Sequence, residues 1–211
     1  PLAWSSAASD VYKRQVVVSM IGNEYSNKTL KQNLIDGLSK KEFVQSKFYT
    51  IVFFSIISTL IIFFISLVLG FIYSNADEFD SFIKEIEFIP AYFIKLVGFF
   101  SFCLFLGVLA KRSAFALAFL LIDYILEWVV FGIITWKSNK EIATEIQNFF
   151  PLTSMSNLIK EPFTRLAMSK FPTSLPSNYD YNVNFTKMII VIFWITLFII
   201  LSYQIIKKRD L

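Results

Sequence analysis

FYTIVFFSIISTLIIFFISLVLGFIY, residues 48–73, carries no charge and is built mainly from Ile, Phe, Leu and Val. About 20 such residues suffice for a helix to cross the hydrocarbon of a bilayer, so this run spans with tilt to spare. The composition of the whole chain agrees: 55% of its 211 residues are hydrophobic and 25 are Phe, and the mean hydropathy is +0.59. That balance excludes an ordinary soluble domain and defines an all-α polytopic membrane protein.

Three more runs have the same character. Residues 89–110 are closed by Lys111 and Arg112, residues 113–136 end on Trp136, and residues 188–206 are followed by Lys207, Lys208 and Arg209. The basic flanks assign their ends to the inner side, and the acidic stretch 74–87 fits the outer side. Four complete spans then begin and end inside, with the C-terminus cytoplasmic. The pI near 9.1 reflects these flanks and not nucleic-acid binding.

Preceding the first run is NEYSNKTLKQNLIDGLSKKEFVQSK, residues 23–47, the longest polar helical stretch in the chain. Leu30, Leu34, Ile35 and Leu38 recur at helical spacing, with Lys31, Gln32, Asn33 and Asp36 on the opposite face. Gly37 stands where a helix stops, because a residue without Cβ turns left-handed at little cost. Ser39-Lys40-Lys41-Glu42 is a capping box that starts the next helix. The expectation is a short amphipathic helix, a turn, and a long helix that enters the membrane. One reading makes the short helix a contact for a partner; the other makes it an interfacial anchor for the first span.

Charged residues inside the spans are few. Lys95 lies in the outer third of its span, where most lysines extend toward the interface. Asp123 and Glu127 sit near the middle of the third span, four residues apart and hence on one face. An ionised acid there costs a few kcal/mol against lipid, so these two line a polar cavity, pair with Lys95 or a partner chain, or stay protonated. Inter-helix contact is favoured over a substrate path. Between the third and last spans, residues 140–149 suggest a short helix that Pro151 cannot continue. Leu158, Ile159, Phe163 and Leu166 suggest a second amphipathic piece, broken at Pro162, at the interface or against the spans.

The chain has no His and one Cys, Cys103. Imidazole and paired-thiolate metal sites, disulfides, and Ser-His or Cys-His catalysis are therefore not expected. No Gly-x-x-x-x-Gly-Lys-Ser/Thr loop is present to cradle phosphates. No cofactor is expected, and enzyme chemistry within this chain is not expected either. Residues 1–15, PLAWSSAASDVYKRQ, match no signal peptide. Their DVYKRQ end resembles a translated sequencing adapter, so they are expected to be a non-native scar. Val16 to Gly22 is expected to be the stub of a lost span, leaving residues 16–211 as one transmembrane domain.

Glu24, Thr29-Leu30, Leu34, Ser39, Lys41 and Lys47, followed at once by a span, resemble the cytoplasmic segment of ABC exporter permeases of the ABC-2 class. Lys28 stands where a glycine is common in that class, and Lys40 intervenes after Ser39. The order of the later spans, with Phe150-Pro151-Leu152 before the last one, is similar too. The resemblance implies six spans in the inner membrane, a dimer with a second permease copy or homologue, and separate cytoplasmic ABC ATPase subunits. On that basis the chain would lack the first span and most of the second. It also implies that Glu24, Thr29, Leu30, Leu34, Ser39 and Lys41 couple to the ATPase. The alternatives are a non-transporting membrane scaffold and, last, an ion-coupled carrier using Asp123 and Glu127.

Overall fold

The computed structural model describes residues 32–33, 35–73, 87–110, 113–137, 140–159 and 183–208. Among these, every regular element is helical. α1 is Lys40–Tyr73, α2 Phe88–Ala110, α3 Ser113–Lys137, α4 Lys140–Gln147, α5 Pro151–Ser156 and α6 Phe185–Lys208. Four of them, α1, α2, α3 and α6, are long and apolar enough to cross a membrane, as the four apolar runs predict. The chain is an all-α multi-pass membrane protein.

α2 is the enclosed helix. α6 and α1 pack on it most extensively, and α3 lies on a further side. In lipid no hydrophobic force drives helices together, so the interior is held by close packing and hydrogen bonds. Gly98 shows the packing side: a methyl group added there would lie 3.0 Å from Val191 Cγ1 and 3.3 Å from Met155 Cγ and Cε. Rings fill the rest of the α2–α6 seam. Phe198 meets Phe102 at 4.9 Å, Phe105 at 5.5 Å and Trp194 at 5.4 Å between centroids, separations at which aromatic pairs add about 0.5–1.5 kcal/mol each beyond burial.

Three buried hydroxyls inside the spans are satisfied without leaving their own helix, whereas Ser101 Oγ in α2 has no partner. Ser55, Thr59 and Ser202 donate to the carbonyls four residues earlier, Ile51, Ser55 and Phe198. This spares a polar group the cost of facing lipid. Large parts of α1 and α3 remain uncovered, with Phe53, Leu60, Phe64, Ile125 and Trp128 exposed; such surface suits lipid or another apolar chain.

Candidate functional site

The elbow before α1 is present in its second half. Gly37 has φ of 103°, the left-handed region that a glycine tolerates. The Asp36 amide donates to the Gln32 carbonyl, and the Leu38 amide donates to the Asn33 carbonyl at 3.1 Å. That second bond is the long-reach closure of a Schellman stop. One residue later the next helix begins: the Ser39 amide donates to Glu42 Oε2 at 2.8 Å, and the Glu42 amide donates to Ser39 Oγ at 3.2 Å. The capping box read from the sequence is therefore formed. The Ser39 hydroxyl, and then its amide, hold the Glu42 carboxyl below the ordinary glutamate range. This first turn of α1 precedes the apolar run and lies outside its membrane-crossing part.

Lys40 Nζ donates to the Lys207 carbonyl at 3.3 Å, placing a cation on the C-terminal end of α6, where the helix dipole favours it. The start of α1 and the end of α6 consequently share one end of the bundle. Of the residues singled out in the sequence, Ser39 is the cap itself and Lys41 is exposed beside it; Glu24, Thr29, Leu30 and Leu34 lie outside the described residues, as do residues 1–15.

At the opposite end the chain turns back. α4 packs along α3, and its eight residues travel about 12 Å at 1.5 Å per residue. The ten residues separating Glu127 from Lys137 at the end of α3 cover about 15 Å on the same rise. The turn after α4 therefore falls near the level of Glu127, and α5 follows within the bundle, with Leu152, Ser154 and Met155 buried.

α5 cannot start itself. Its N-cap is Phe150, which has no oxygen to offer, and its first residue, Pro151, has no amide hydrogen. The Phe150 amide donates to the Gln147 carbonyl. The two remaining free amides, Leu152 and Thr153, donate to Glu127 Oε1 and Oε2 at 2.8 and 3.0 Å, and Thr153 Oγ1 adds a bond of 2.7 Å to Oε2. Glu127, only 7% exposed, thus caps from α3 a helix 25 residues away in sequence. At the other end Lys95 Nζ donates to the Ser156 carbonyl at 3.4 Å. An anion sits on the N-terminal end of α5 and a cation on its C-terminal end, each on the side that the backbone dipole favours.

Inter-helix contact is thus where Glu127 goes, and both it and Lys95 reach their partners through α5. Asp123, one turn along α3, has its Oδ2 buried without a hydrogen-bond partner. Of the two places open to the second amphipathic piece, the interface or the spans, its described part takes the spans: Leu158 belongs to the core with Leu152 and Met155, and Ile159 packs against it, because Glu127 and Lys95 satisfy the ends of α5 that would otherwise keep it in water. Phe163 and Leu166 lie outside the described residues. Sequence reasoning also missed the fastening of this hairpin: Trp194 Nε1 donates to the Phe149 carbonyl at 2.9 Å, and Asn157 Nδ2 donates to Asn148 Oδ1 at 3.1 Å. Its one signal was the Phe-Pro start, a helix without a cap of its own.

Four spanning helices, an elbow leading into the first, and a short helix held inside the bundle define a multi-pass membrane domain. The family comparison makes this specific: the model of the ABC-2 family transporter protein matches residues 17–211, and the chain belongs to that family as a permease subunit of an ABC transporter. Neither curated proteins nor solved structures give a match.

Proposed function

We propose that the chain is the membrane-spanning permease of an ATP-driven exporter, and that the elbow at Gly37–Ser39 receives the movement of separate ABC ATPase subunits. The observation that carries this is the joint: a Schellman stop and a capping box with only Leu38 between them. A stop and a start this close fix the angle between the polar helix and α1, so a push on one becomes a tilt of the other. Because Lys40 also holds the end of α6, the tilt is shared by two spans.

On this reading the elbow and the C-terminus lie in the cytoplasm, the protein sits in the inner membrane, and a second permease copy or a homologue completes the pathway. Glu24, Thr29, Leu30, Leu34 and Lys41 are the contact positions toward the ATPase, and Ser39 is the hinge cap. Replacing Leu30 and Leu34 with Asp in the full-length protein is expected to abolish co-purification of the ATPase while the permease stays in the membrane. Unchanged recovery of the ATPase would rule the coupling role out. Export as the direction is tested by ATP-dependent accumulation of substrate in inside-out vesicles.

A further inference from the structure

Lysines outnumber acids where α1 begins and α6 ends. Among the described residues, Lys40, Lys41 and Lys47 stand near the start of α1, and Lys207 and Lys208 on the last turn of α6. The bond from Lys40 Nζ to the Lys207 carbonyl brings both groups to one end of the bundle. The described acids there are Asp36, beyond the Gly37 turn, and Glu42, whose carboxylate is engaged by Ser39. Lys40 already serves the carbonyl end of α6, where the helix dipole calls for a cation. The side chains of Lys207 and Lys208, both exposed, are not needed for that purpose.

The same residues set the level of this end in the bilayer. Lys47 sends its ammonium back by one turn, to 5.4 Å from the centre of the Phe43 ring, the course a lysine takes when its stem lies along apolar surface and its charge leaves it. Tyr203, half-buried one turn before Lys207, has the amphipathic ring that favours headgroup level. The apolar run of α1 starts at Phe48, and Tyr49 and Phe53, four residues apart on one face, are exposed below the lysines. Cations therefore border an uncovered apolar face at the edge of the hydrocarbon. Dissolved phosphate complements only the cations, whereas a phospholipid complements both.

We infer that an anionic phospholipid is seated at this end, its phosphate held by Lys207 and Lys208 beside the start of α1 and its acyl chains along the exposed apolar face of α1. The lipid adds a second tie between α1 and α6, through a charge that neither helix supplies. This goes beyond the coupling role proposed for the elbow and requires no ATPase.

The test measures lipid binding to the purified full-length protein in neutral detergent by native mass spectrometry, with dioleoylphosphatidylglycerol and dioleoylphosphatidylcholine as probes. Phosphatidylglycerol should bind more tightly than phosphatidylcholine. Lys207→Gln and Lys208→Gln should each weaken its binding about fivefold, the scale of one lysine at an anionic lipid surface. Neither change touches the Lys207 carbonyl, so the bond from Lys40 stays. Lys207→Arg with Lys208→Arg keeps the charge and should keep the affinity. Lys137→Gln removes an exposed lysine from the end of α3, far beyond the screening length of about 10 Å at 0.1 M salt, and should change nothing. Lys41, assigned above to the ATPase, is left in place, so this outcome is separate from that of the co-purification experiment. Equal binding of the two lipids would overturn the site, as would unchanged phosphatidylglycerol binding in the double Gln variant. Displacement of the lipid by an equal concentration of inorganic phosphate would also overturn it, as the mark of a free-anion site. Loss of the ATPase from the double Gln variant with lipid affinity unchanged would give the two lysines to a protein partner instead.

Discussion

Two acids one helical turn apart have opposite consequences for stability. Glu127 accepts three hydrogen bonds from α5, so Glu127→Ala strands two backbone amides, that of buried Leu152 and that of part-buried Thr153. Each unmade bond of that kind costs about 1–3 kcal/mol. The thermal unfolding midpoint of the purified protein should fall sharply for Glu127→Ala and less for Glu127→Gln, which keeps one acceptor oxygen. Asp123 Oδ2 is buried without a hydrogen-bond partner, so Asp123→Asn breaks no bond at that oxygen, and the midpoint should hold or rise. Packing is tested at Gly98, where a side chain would press on Val191 and Met155. Gly98→Val should destabilise by about 1–3 kcal/mol, and Val191→Ala in the same chain should recover part of the loss, the sign of a direct contact in a double-mutant cycle. The positions of both acids were legible in the sequence through their four-residue spacing. The partner of Glu127 was not, because a helix cap supplied from another helix leaves no local pattern around either residue.

At the scale of elements, the elbow and the α4–α5 hairpin differ in how openly the sequence declares them. The elbow is local: a glycine, then a serine and a glutamate three residues apart, and the hydrogen bonds follow within six residues. The four spans are equally legible, since an apolar run long enough to cross lipid has few other options. The hairpin is not, because short polar-ended helices enter a bilayer only when distant side chains accept their ends. The elbow makes its own prediction at Gly37. Nothing lies within 4 Å of a methyl group added there, so space is no obstacle, but φ of +103° is strained for any side chain. Gly37→Ala should broaden the distance distribution between spin labels at Gln32 and Gln45, both exposed. Gly132, helical and equally open, serves as the control whose Ala variant changes nothing. The cap adds a pH dependence. A carboxyl held below its unfolded value stabilises above that value and loses its contribution as pH falls through the folded one. Glu42 is such a group, lowered from 4.5 chiefly by Ser39, so amide-exchange protection of Phe43 should hold at neutral pH and decline below about pH 4.5. In Ser39→Ala that decline should vanish.

For the whole molecule the decisive quantity is parity. Four crossings return the chain to its starting side, and the bond from Lys40 to the Lys207 carbonyl requires that return, since the two residues cannot meet across a bilayer. The end of α3 near Trp136, itself 87% exposed, must then face the other side. In a Cys103→Ala background, single thiols at Gln45 and Lys208 should react with an impermeant maleimide only when the cytoplasmic face is open to it, and a thiol at Trp136 only from outside intact cells. The result bears on mechanism as much as on topology. An ATPase in the cytoplasm can push only on what the cytoplasm touches, and α1 and α6 are joined at one end, the end that the proposed coupling requires to be cytoplasmic. Labelling of Gln45 from outside would put the elbow out of any motor's reach. Labelling of Gln45 and Lys208 from opposite sides would contradict the bond that joins α1 to α6, and with it the shared tilt on which transmission into the bundle depends.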